Sequence, residues 1–229
     1  MSAREVDVVV FDILGTMVDE PDGIRRAVEA LPAGLDDART DELVAVWQAH
    51  VDDQQRQMLT GHRPYAATTA VDLEAAAHVA AAAGVTDGEA VRALAAAAQR
   101  PEPWSDTVAA LDRISARFPV VGLSNADRSS LVRLNAHAGL RWHLVLSAED
   151  VRSYKPRPEV YELAVAATGT SPDRLLMVAA HAWDLRGAQA IGMRTAYVER
   201  PVGDPPGPTD VFDVTATNLE ELATILGCP

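Results

Sequence analysis

VVVFDILGTMVDE, residues 8–20, is the stretch of sequence that decides the fold. Its first four residues, 8–11, are apolar and mostly β-branched, which predicts a strand buried on both faces of a sheet. Asp12 follows directly, at the carboxyl end of the strand, where open α/β sheets place their chemistry. Gly15 and Thr16 then predict a turn of the chain. On these residues alone, Asp12 is either a functional carboxylate or a structural turn former.

Short apolar runs that alternate with helical patterns continue from residue 105 to the end of the sequence. We expect strands at 119–123, 144–147, 175–179 and 194–198, and helices at 105–117, 128–138, 158–168 and 183–191. Asn218 is expected to cap a short final helix. This alternation is typical of an α/β fold with a doubly wound parallel sheet.

The region from residue 21 to 99 differs, because it contains no convincing strand. It is rich in alanine, the residue with the highest helix propensity, and Leu43, Trp47 and Val51 recur at helical spacing. We interpret it as an insertion of about four helices after the first strand. A low-complexity linker is the alternative. Pro101 and Pro103 mark the return to the main domain.

Composition limits the classes of function that need to be considered. The chain has 229 residues, 48% of them hydrophobic, and a formal net charge of −13. The acidic balance argues against a nucleic-acid partner, and a small anionic substrate would need a local cationic pocket. We find neither a signal peptide nor an apolar run of the roughly 20 residues that a membrane span requires. The single cysteine, Cys228, excludes an intrachain disulfide, and we expect a cytoplasmic protein with no membrane partner.

Two motifs carry groups suited to an anionic reaction centre. In GLSNAD, residues 122–127, Ser124 and Asn125 follow a predicted strand and precede a helix, where hydroxyl and backbone N–H groups suit an oxyanion. An ordinary helix N-cap is the alternative for this motif. In SYKPRPEVYELA, residues 153–164, Lys155 precedes a proline and is held extended, so its ammonium can neutralise a nearby carboxylate.

These motifs, followed by MVAAHAWDLRGAQAIGM at 177–193, resemble those of the haloacid dehalogenase superfamily in the same order. The resemblance implies that Asp12 is a nucleophile, that Ser124 binds the anionic group of the substrate and that Lys155 neutralises Asp12. It also implies that the helical insertion is a cap. The expected domains are therefore a core at 1–17 and 100–229 and a helical cap at 18–99.

Two positions distinguish the branches of that superfamily. Its phosphatases usually have a second aspartate two residues after the nucleophile, and here that position is Leu14, which cannot move a proton. The phosphatases also hold Mg²⁺ with two carboxylates. Here Ala180 stands at the position of the first carboxylate, and only Asp184, at the position of the second, remains. Losing an oxygen ligand weakens a magnesium site. His-Ala-Trp-Asp at 181–184 resembles the (S)-2-haloacid dehalogenase branch, so we expect no metal and no cofactor.

The branch implies a reaction in two steps. Asp12 displaces the halide from a 2-haloalkanoic acid to form an ester, and water then hydrolyses the ester to a 2-hydroxy acid. One departure concerns the cap, where the branch usually has an arginine that grips the substrate carboxylate. The matching position is Gln48, which carries no charge, and Arg56 or Arg63 could substitute for it.

Three functions therefore stay open: a 2-haloacid dehalogenase, a Mg²⁺-dependent phosphatase, and a hydrolase or binding protein with a diverged substrate. Core packing is the alternative for Tyr161, His181 and Trp183. Under the first function the partner is a small anionic molecule, with a homodimer possible by family resemblance. The implied catalytic residues are Asp12, Thr16, Ser124, Lys155 and Asp184, and the implied substrate contacts are Leu14, Gln48, Asn125, Tyr161, His181 and Trp183.

Overall fold

A six-stranded parallel sheet forms the centre of the molecule. The computed structural model describes residues 6–229 and orders the strands β3-β2-β1-β4-β5-β6. The strands are β1 Val8–Phe11, β2 Val120–Ser124, β3 Leu144–Ser147, β4 Leu175–Ala179, β5 Arg194–Val198 and β6 Val214–Ala216. β1, β2 and β4 are buried along their whole length, as their apolar sequences predict. The predicted α/β fold with a parallel sheet is confirmed.

Five helices cover the two faces of this sheet. They are α5 Thr107–Ser115, α6 Arg128–Ala138, α7 Pro158–Thr168, α8 Ala182–Ala190 and α9 Leu219–Ile225. Separate hydrophobic clusters lie on the two faces, one around Phe11 and the other around Val10, because successive side chains of β1 point to opposite sides. Asn218 caps α9 by accepting a hydrogen bond from the Glu221 N–H at 2.8 Å, as predicted.

Four helices lie between β1 and α5. They are α1 Glu20–Glu29, α2 Asp37–Leu59, α3 Thr68–Ala82 and α4 Gly88–Ala98. Leu43 and Trp47 of α2 pack with Val79 of α3 and Leu94 of α4 in a third hydrophobic cluster, separate from the two clusters on the sheet. The insertion is thus a packed helical unit, and the linker alternative is wrong. The predicted domain limits stay predictions, and residues 1–5 of the first predicted segment lie outside the described residues.

Polar contacts join the helical unit to the sheet domain beside the carboxyl ends of the strands. Asp127, the N-cap of α6, accepts hydrogen bonds from the Thr68 hydroxyl at 3.0 Å and the Thr69 N–H at 2.8 Å, both at the start of α3. The Tyr154 hydroxyl donates to the Ala66 carbonyl at 2.8 Å. Throughout residues 6–229, no helix combines the length and apolar character needed to cross a membrane.

Candidate active site

Asp12 lies at the end of β1, where the sheet holds its backbone. Its N–H donates to the Val178 carbonyl of β4 at 2.9 Å, which extends the ladder by one residue beyond the strand. One carboxylate oxygen, Oδ1, accepts a hydrogen bond from Lys155 Nζ at 2.9 Å. The other, Oδ2, accepts one from the Thr16 hydroxyl at 2.7 Å. Both oxygens are therefore positioned, and the residue is only 6% exposed.

The turn after Asp12 is fixed by Thr16 and Gly15. Besides donating to Asp12, the Thr16 hydroxyl accepts a hydrogen bond from the Ala180 N–H at 2.9 Å, which ties the turn to the end of β4. Gly15 has a φ of +76°, and a Cβ built on it would lie 2.6 Å from His181 Nε2. A side chain at position 15 would be strained and would also displace His181.

Lys155 links two buried carboxylates. Its Nζ lies 2.9 Å from Asp12 Oδ1 and 2.7 Å from Asp184 Oδ2, and the residue is 2% exposed. Its backbone N–H donates to Asn125 Oδ1 at 2.8 Å, so Asn125 helps to place the lysine. Burial alone would lower the pKa of Lys155, but the two carboxylates outweigh it and raise that pKa. The lysine is therefore an ammonium ion at neutral pH.

Asp184, in the first turn of α8, receives a second donor from α7. The Tyr161 hydroxyl donates to Asp184 Oδ1 at 2.6 Å, and both residues are completely buried. Burial and the neighbouring Asp184 carboxylate raise the pKa of Tyr161, so its hydroxyl stays protonated and continues to donate. Sequence reasoning left Tyr161 between a core aromatic and a polar role. The structure places it beneath the site, against Asp184.

Ser124 ends β2 next to Asp12 and is completely buried. Its hydroxyl oxygen accepts a hydrogen bond from the Ala126 N–H at 3.1 Å. The Ser147 hydroxyl donates to the Ala126 carbonyl at 2.7 Å and so supports the same loop from β3. Ser124, Asn125 and Lys155 are thus brought together with Asp12 at the carboxyl edge of the sheet, as the motif spacing predicts.

A cavity of about 340 Å³ opens beside the turn that follows Asp12. From the sheet domain, Leu14, Gly15 and His181 line it, and from α2, Trp47 and Gln48. The helical unit and the sheet domain therefore enclose the cavity together. Among the predicted substrate contacts, Leu14, Gln48 and His181 lie at the cavity wall.

Trp183 lies outside the cavity wall. Its ring stacks on that of His181, with ring centroids 5.9 Å apart, and its backbone N–H donates to Asp204 Oδ2 at 3.3 Å. Asn125 and Tyr161 also lie outside the wall, where they hold Lys155 and Asp184 respectively. Direct substrate contact by these three residues stays a prediction, and in the structure each of them contacts another residue of the candidate site.

Comparison with known proteins agrees with this geometry. A family model described as haloacid dehalogenase-like hydrolase matches residues 6–192. The (S)-2-haloacid dehalogenase H-109 of Pseudomonas putida is 30% identical over 203 residues, 86% of this chain and 87% of that protein. The chain belongs to the haloacid dehalogenase-like hydrolase family.

Two further members of the family are similar over nearly their full length. The (S)-2-haloacid dehalogenase of Pseudomonas sp. strain YL is 29% identical over 217 residues, which cover 91% of this chain and 90% of that protein. The crystal structure of a defluorinating L-2-haloacid dehalogenase has a TM-score of 0.88 at 30% identity. The match covers 97% of this chain and 96% of that one.

The cavity between the helical unit and the sheet domain is acidic. Three carboxylates line it, from Glu20 of α1, Asp52 of α2 and Asp72 of α3. Within residues 6–229, no lysine or arginine lines it. Burial, together with Asp72, Asp12 and Asp52, raises the pKa of Glu20 to about 8. Burial likewise raises the pKa of Asp72 to about 7.

The arginines proposed to replace the usual cap arginine are engaged elsewhere. The Arg63 guanidinium binds both oxygens of Glu74, at 2.6 and 2.8 Å. Arg56 is exposed and lies 3.4 Å from Asp53. Neither side chain lines the cavity, so the hypothesis that one of them substitutes for the arginine finds no support in the structure.

Sequence reasoning missed the three acidic residues of the cavity wall and the amide residue Gln55. Part of the signal was available, because Asp52 and Gln55 follow Gln48 by four and seven residues and so share one face of α2. Glu20 and Asp72 lie on other helices, and their approach to that face depends on helix packing. The spacing of residues along one helix does not predict how that helix packs against the others.

Proposed function

We propose that this protein is a hydrolytic dehalogenase that acts on 2-haloalkanoic acids through an ester formed on Asp12, without a metal ion. The observation that carries the proposal is the Asp12 carboxylate, bound on one oxygen by Lys155 and on the other by Thr16. The named activity of the relatives, (S)-2-haloacid dehalogenase, supports it.

In the first step, an Asp12 oxygen attacks the carbon that bears the halogen. A C–O bond forms as the C–halogen bond breaks, the bonding pair leaves with the halide, and configuration at the carbon inverts. Lys155 and Thr16 fix the direction of attack, and positioning of this kind supplies much of the rate in displacement reactions. Since a halide leaves without a proton, this first step needs no proton donor at the position of Leu14.

In the second step, water attacks the Asp12 carbonyl carbon and releases the 2-hydroxy acid. One proton of the water goes to the departing alkoxide, the other passes to solvent, and the Asp12 carboxylate regains an oxygen from water. Lys155, shared with Asp184, stabilises the negative charge that develops on the carbonyl oxygen. Tyr161 keeps Asp184 oriented toward the lysine.

Metal independence is proposed on the identity of the residues at the reaction centre. Ala180 stands where the phosphatases of the family usually place a carboxylate ligand, and the Lys155 ammonium already binds Asp12 Oδ1. Mg²⁺ needs several oxygen ligands, and the Ala180 side chain supplies none. The relatives' names favour the dehalogenase over the phosphatase alternative.

We further propose that residues 18–99 act as the cap over this site. The cavity walls from α1, α2 and α3 support that role, because these helices contribute Glu20, Trp47 and Asp72. The homodimer and the cytoplasmic location stay predictions, and light scattering of the purified protein tests the first of them.

The decisive experiment is a single turnover in H₂¹⁸O with enzyme in excess over 2-chloropropionate. We expect ¹⁸O in the peptide that contains Asp12, unlabelled oxygen in the first lactate formed, and chloride release without added metal. Asp12→Asn should release no chloride, whereas Asp53→Asn, in α2 but not part of the cavity wall, should retain activity. Label that enters lactate directly and leaves Asp12 unlabelled would show attack by water on the substrate carbon, and the proposal would fail.

A further inference from the structure

We propose that the substrate of this site is a 2-haloalkanoic acid whose chain also carries an ammonium group, bound by the carboxylates of the cavity. The inference rests on the proposed dehalogenase function. It concerns the part of the substrate that points away from Asp12, into the space between the sheet domain and helices α1–α3.

The arrangement of charge around the cavity carries the inference. Glu20 is the first residue of α1, Asp52 lies on the same face of α2 as Gln48, and Asp72 lies in the first two turns of α3. Three carboxylates from three helices thus surround one space. Lys155 is the nearby cation, and Asp12 and Asp184 already share its charge. A substrate with only negative charge meets repulsion there, whereas an ammonium group is attracted.

A buried hydroxyl in the same wall provides an independent sign of a ligand. Ser130 of α6 lines the cavity and is 4% exposed, and its Oγ has no hydrogen-bond partner among residues 6–229. Buried hydroxyl groups are normally satisfied, so an orphaned one at a cavity wall points to a polar group on the ligand. An ammonium ion donates three hydrogen bonds, and the Ser130 oxygen can accept one of them.

The rest of the wall suits a chain longer than that of a haloacetate. Ile24, Val51 and Leu134 supply apolar surface for methylene groups. The volume of about 340 Å³ lies at the lower end of the roughly 300–1,000 Å³ that small-molecule sites span. Gln99 Nε2 donates to Asp72 Oδ2 at 3.1 Å and so holds that carboxylate in place at the wall.

The protonation of the carboxylates is consistent with this occupant. The pKa of Glu20 is raised to about 8 by burial and by the charges of Asp72 in α3, Asp12 after β1 and Asp52 in α2. Burial raises the pKa of Asp72 to about 7. A bound ammonium would favour the ionised forms of both, so binding near pH 7 should release protons.

The test compares substrates matched in shape and different in charge. Chloride release is measured for ω-amino-2-chloroalkanoic acids of four to six carbons, each beside the isostere in which a methyl group replaces the ammonium. An example is 6-amino-2-chlorohexanoate beside 2-chloroheptanoate. We expect at least one amino compound to exceed its isostere by about tenfold or more in kcat/KM. Calorimetry of the unreactive 2-hydroxy-ω-amino acid product in buffers of different ionisation enthalpy should show proton release.

Variants assign the preference to the carboxylates. Glu20→Gln and Asp52→Asn should each reduce the ratio between amino compound and isostere, whereas Asp53→Asn removes the same charge outside the cavity and should leave the ratio unchanged. Ser130→Ala should lower kcat/KM for the amino compound more than for its isostere.

The possible results separate this inference from the proposed function. Turnover of 2-chloropropionate with ¹⁸O in Asp12, but no preference for any amino compound, overturns the ammonium inference and leaves the dehalogenase in place. A preference for the isosteres overturns it as well. Absence of chloride release from every compound overturns the dehalogenase proposal. If calorimetry then also shows no proton release on binding of the 2-hydroxy-ω-amino acid, the ammonium inference is overturned as well.

Discussion

Lys155 is the only lysine of the sequence, and its ammonium lies between the carboxylates of Asp12 and Asp184. One buried cation thus faces two buried carboxyl groups. Burial raises the pKa of Asp184, and the Lys155 ammonium opposes that rise. A lysine that lost its proton would leave the buried Asp12 and Asp184 side chains with only the hydroxyl donors of Thr16 and Tyr161.

This charge balance predicts the titration of Lys155. The two carboxylates outweigh burial, so we expect a pKa above the ordinary 10.5. Protein labelled with ¹³Cε-lysine should give a single lysine signal by nuclear magnetic resonance, and following it with pH measures the value directly. Asp184→Asn removes one carboxylate and should lower the pKa, whereas Asp53→Asn should not change it. A wild-type signal that titrates below 10.5 would contradict the proposed pairing.

At this scale the sequence predicted which polar residues follow the ends of strands, while their catalytic roles stay predictions. Asp12, Ser124 and Lys155 lie at strand ends or in loops after strands, and the parallel topology alone brings such positions to one edge of the sheet. The partner of Tyr161 was not predictable, because its contact with Asp184 depends on how closely α7 approaches α8. The spacing of motifs along the sequence does not predict the distance between α7 and α8.

At the scale of elements, Gly187 permits the close contact between α7 and α8. A Cβ built on Gly187 would lie 2.8 Å from Tyr161 Cζ and 2.8 Å from Pro156 Cβ. Such distances are too short for carbon atoms in contact, so either the helix or the tyrosine must move. The tyrosine that would move is the one that donates to Asp184.

We therefore expect Gly187→Ala to lower both stability and activity, although alanine favours helix more than glycine does. The loss in unfolding free energy should be about 1–3 kcal/mol, the usual cost of overpacking. Gly88→Ala, at the exposed start of α4, meets only Arg92 Nη1 at 3.6 Å and should be neutral or slightly stabilising. Urea unfolding measures both variants. Equal stability of the two would show that α7 and α8 can separate without cost.

The contact between α3 and α6 gives a second prediction at this scale. The Thr68 hydroxyl donates to Asp127 Oδ2 at 3.0 Å and accepts from the Asp127 N–H at 2.8 Å. Burial would raise the pKa of Asp127, but hydrogen bonds from Ser130, Thr69 and Ser129 outweigh it and hold that pKa at about 2. The carboxylate is thus ionised and fully bonded at the junction of the helical unit and the sheet domain.

Thr68→Val should weaken this junction, because it leaves a buried N–H of Asp127 without its partner. We expect a loss of about 1–3 kcal/mol in unfolding free energy. Hydrogen exchange should also become faster at the start of α3. Thr224→Val, which removes an exposed hydroxyl bonded within its own helix, serves as the control. If exchange in α3 stays at the wild-type rate, the contact does not hold the helical unit in place.

Five of the six strands of the sheet were predicted from their apolar runs, and β6 was not. The strands at 144–147, 175–179 and 194–198 have the predicted limits, and β2 is shifted by one residue. β6, Val214–Ala216, was not predicted, since three residues with an exposed Thr215 give too little pattern at the edge of a sheet. Four helices in the insertion agree with the predicted number.

At the scale of the whole molecule, the formal net charge of −13 shows that acidic residues are in excess, but it does not show where they lie in the fold. Glu20, Asp52 and Asp72 lie far apart in sequence and converge only when α1, α2 and α3 pack together. The acidity of the cavity was therefore not predictable, although the need for a cation near an anionic substrate was. Because burial and neighbouring carboxylates raise the pKa of Glu20 in the folded state, the stability of the protein should depend on pH.

Glu20 supplies the clearest part of that dependence. Its pKa is raised to about 8 in the folded protein, against an ordinary value of 4.5, so the folded state binds more protons between these limits. The favourable contribution of Glu20 to the free energy of unfolding is therefore complete below about pH 4.5. It is lost as the pH rises through 8. Solvent screening at this half-buried group should limit the effect to about 1–2 kcal/mol.

Glu20→Gln keeps the shape of the side chain and removes its titration, so the variant isolates this contribution. We expect both proteins to melt at similar temperatures at pH 5, and the variant to become progressively more stable than the wild type up to pH 8.5. Asp22→Asn, in the same first turn of α1 but outside the cavity wall, should follow the wild-type profile. Repulsion among surface charges affects all three proteins alike and cancels in the differences. A stability difference between Glu20→Gln and wild type that is constant from pH 5 to 8.5 would mean that Glu20 does not titrate in this range, contrary to the raised pKa.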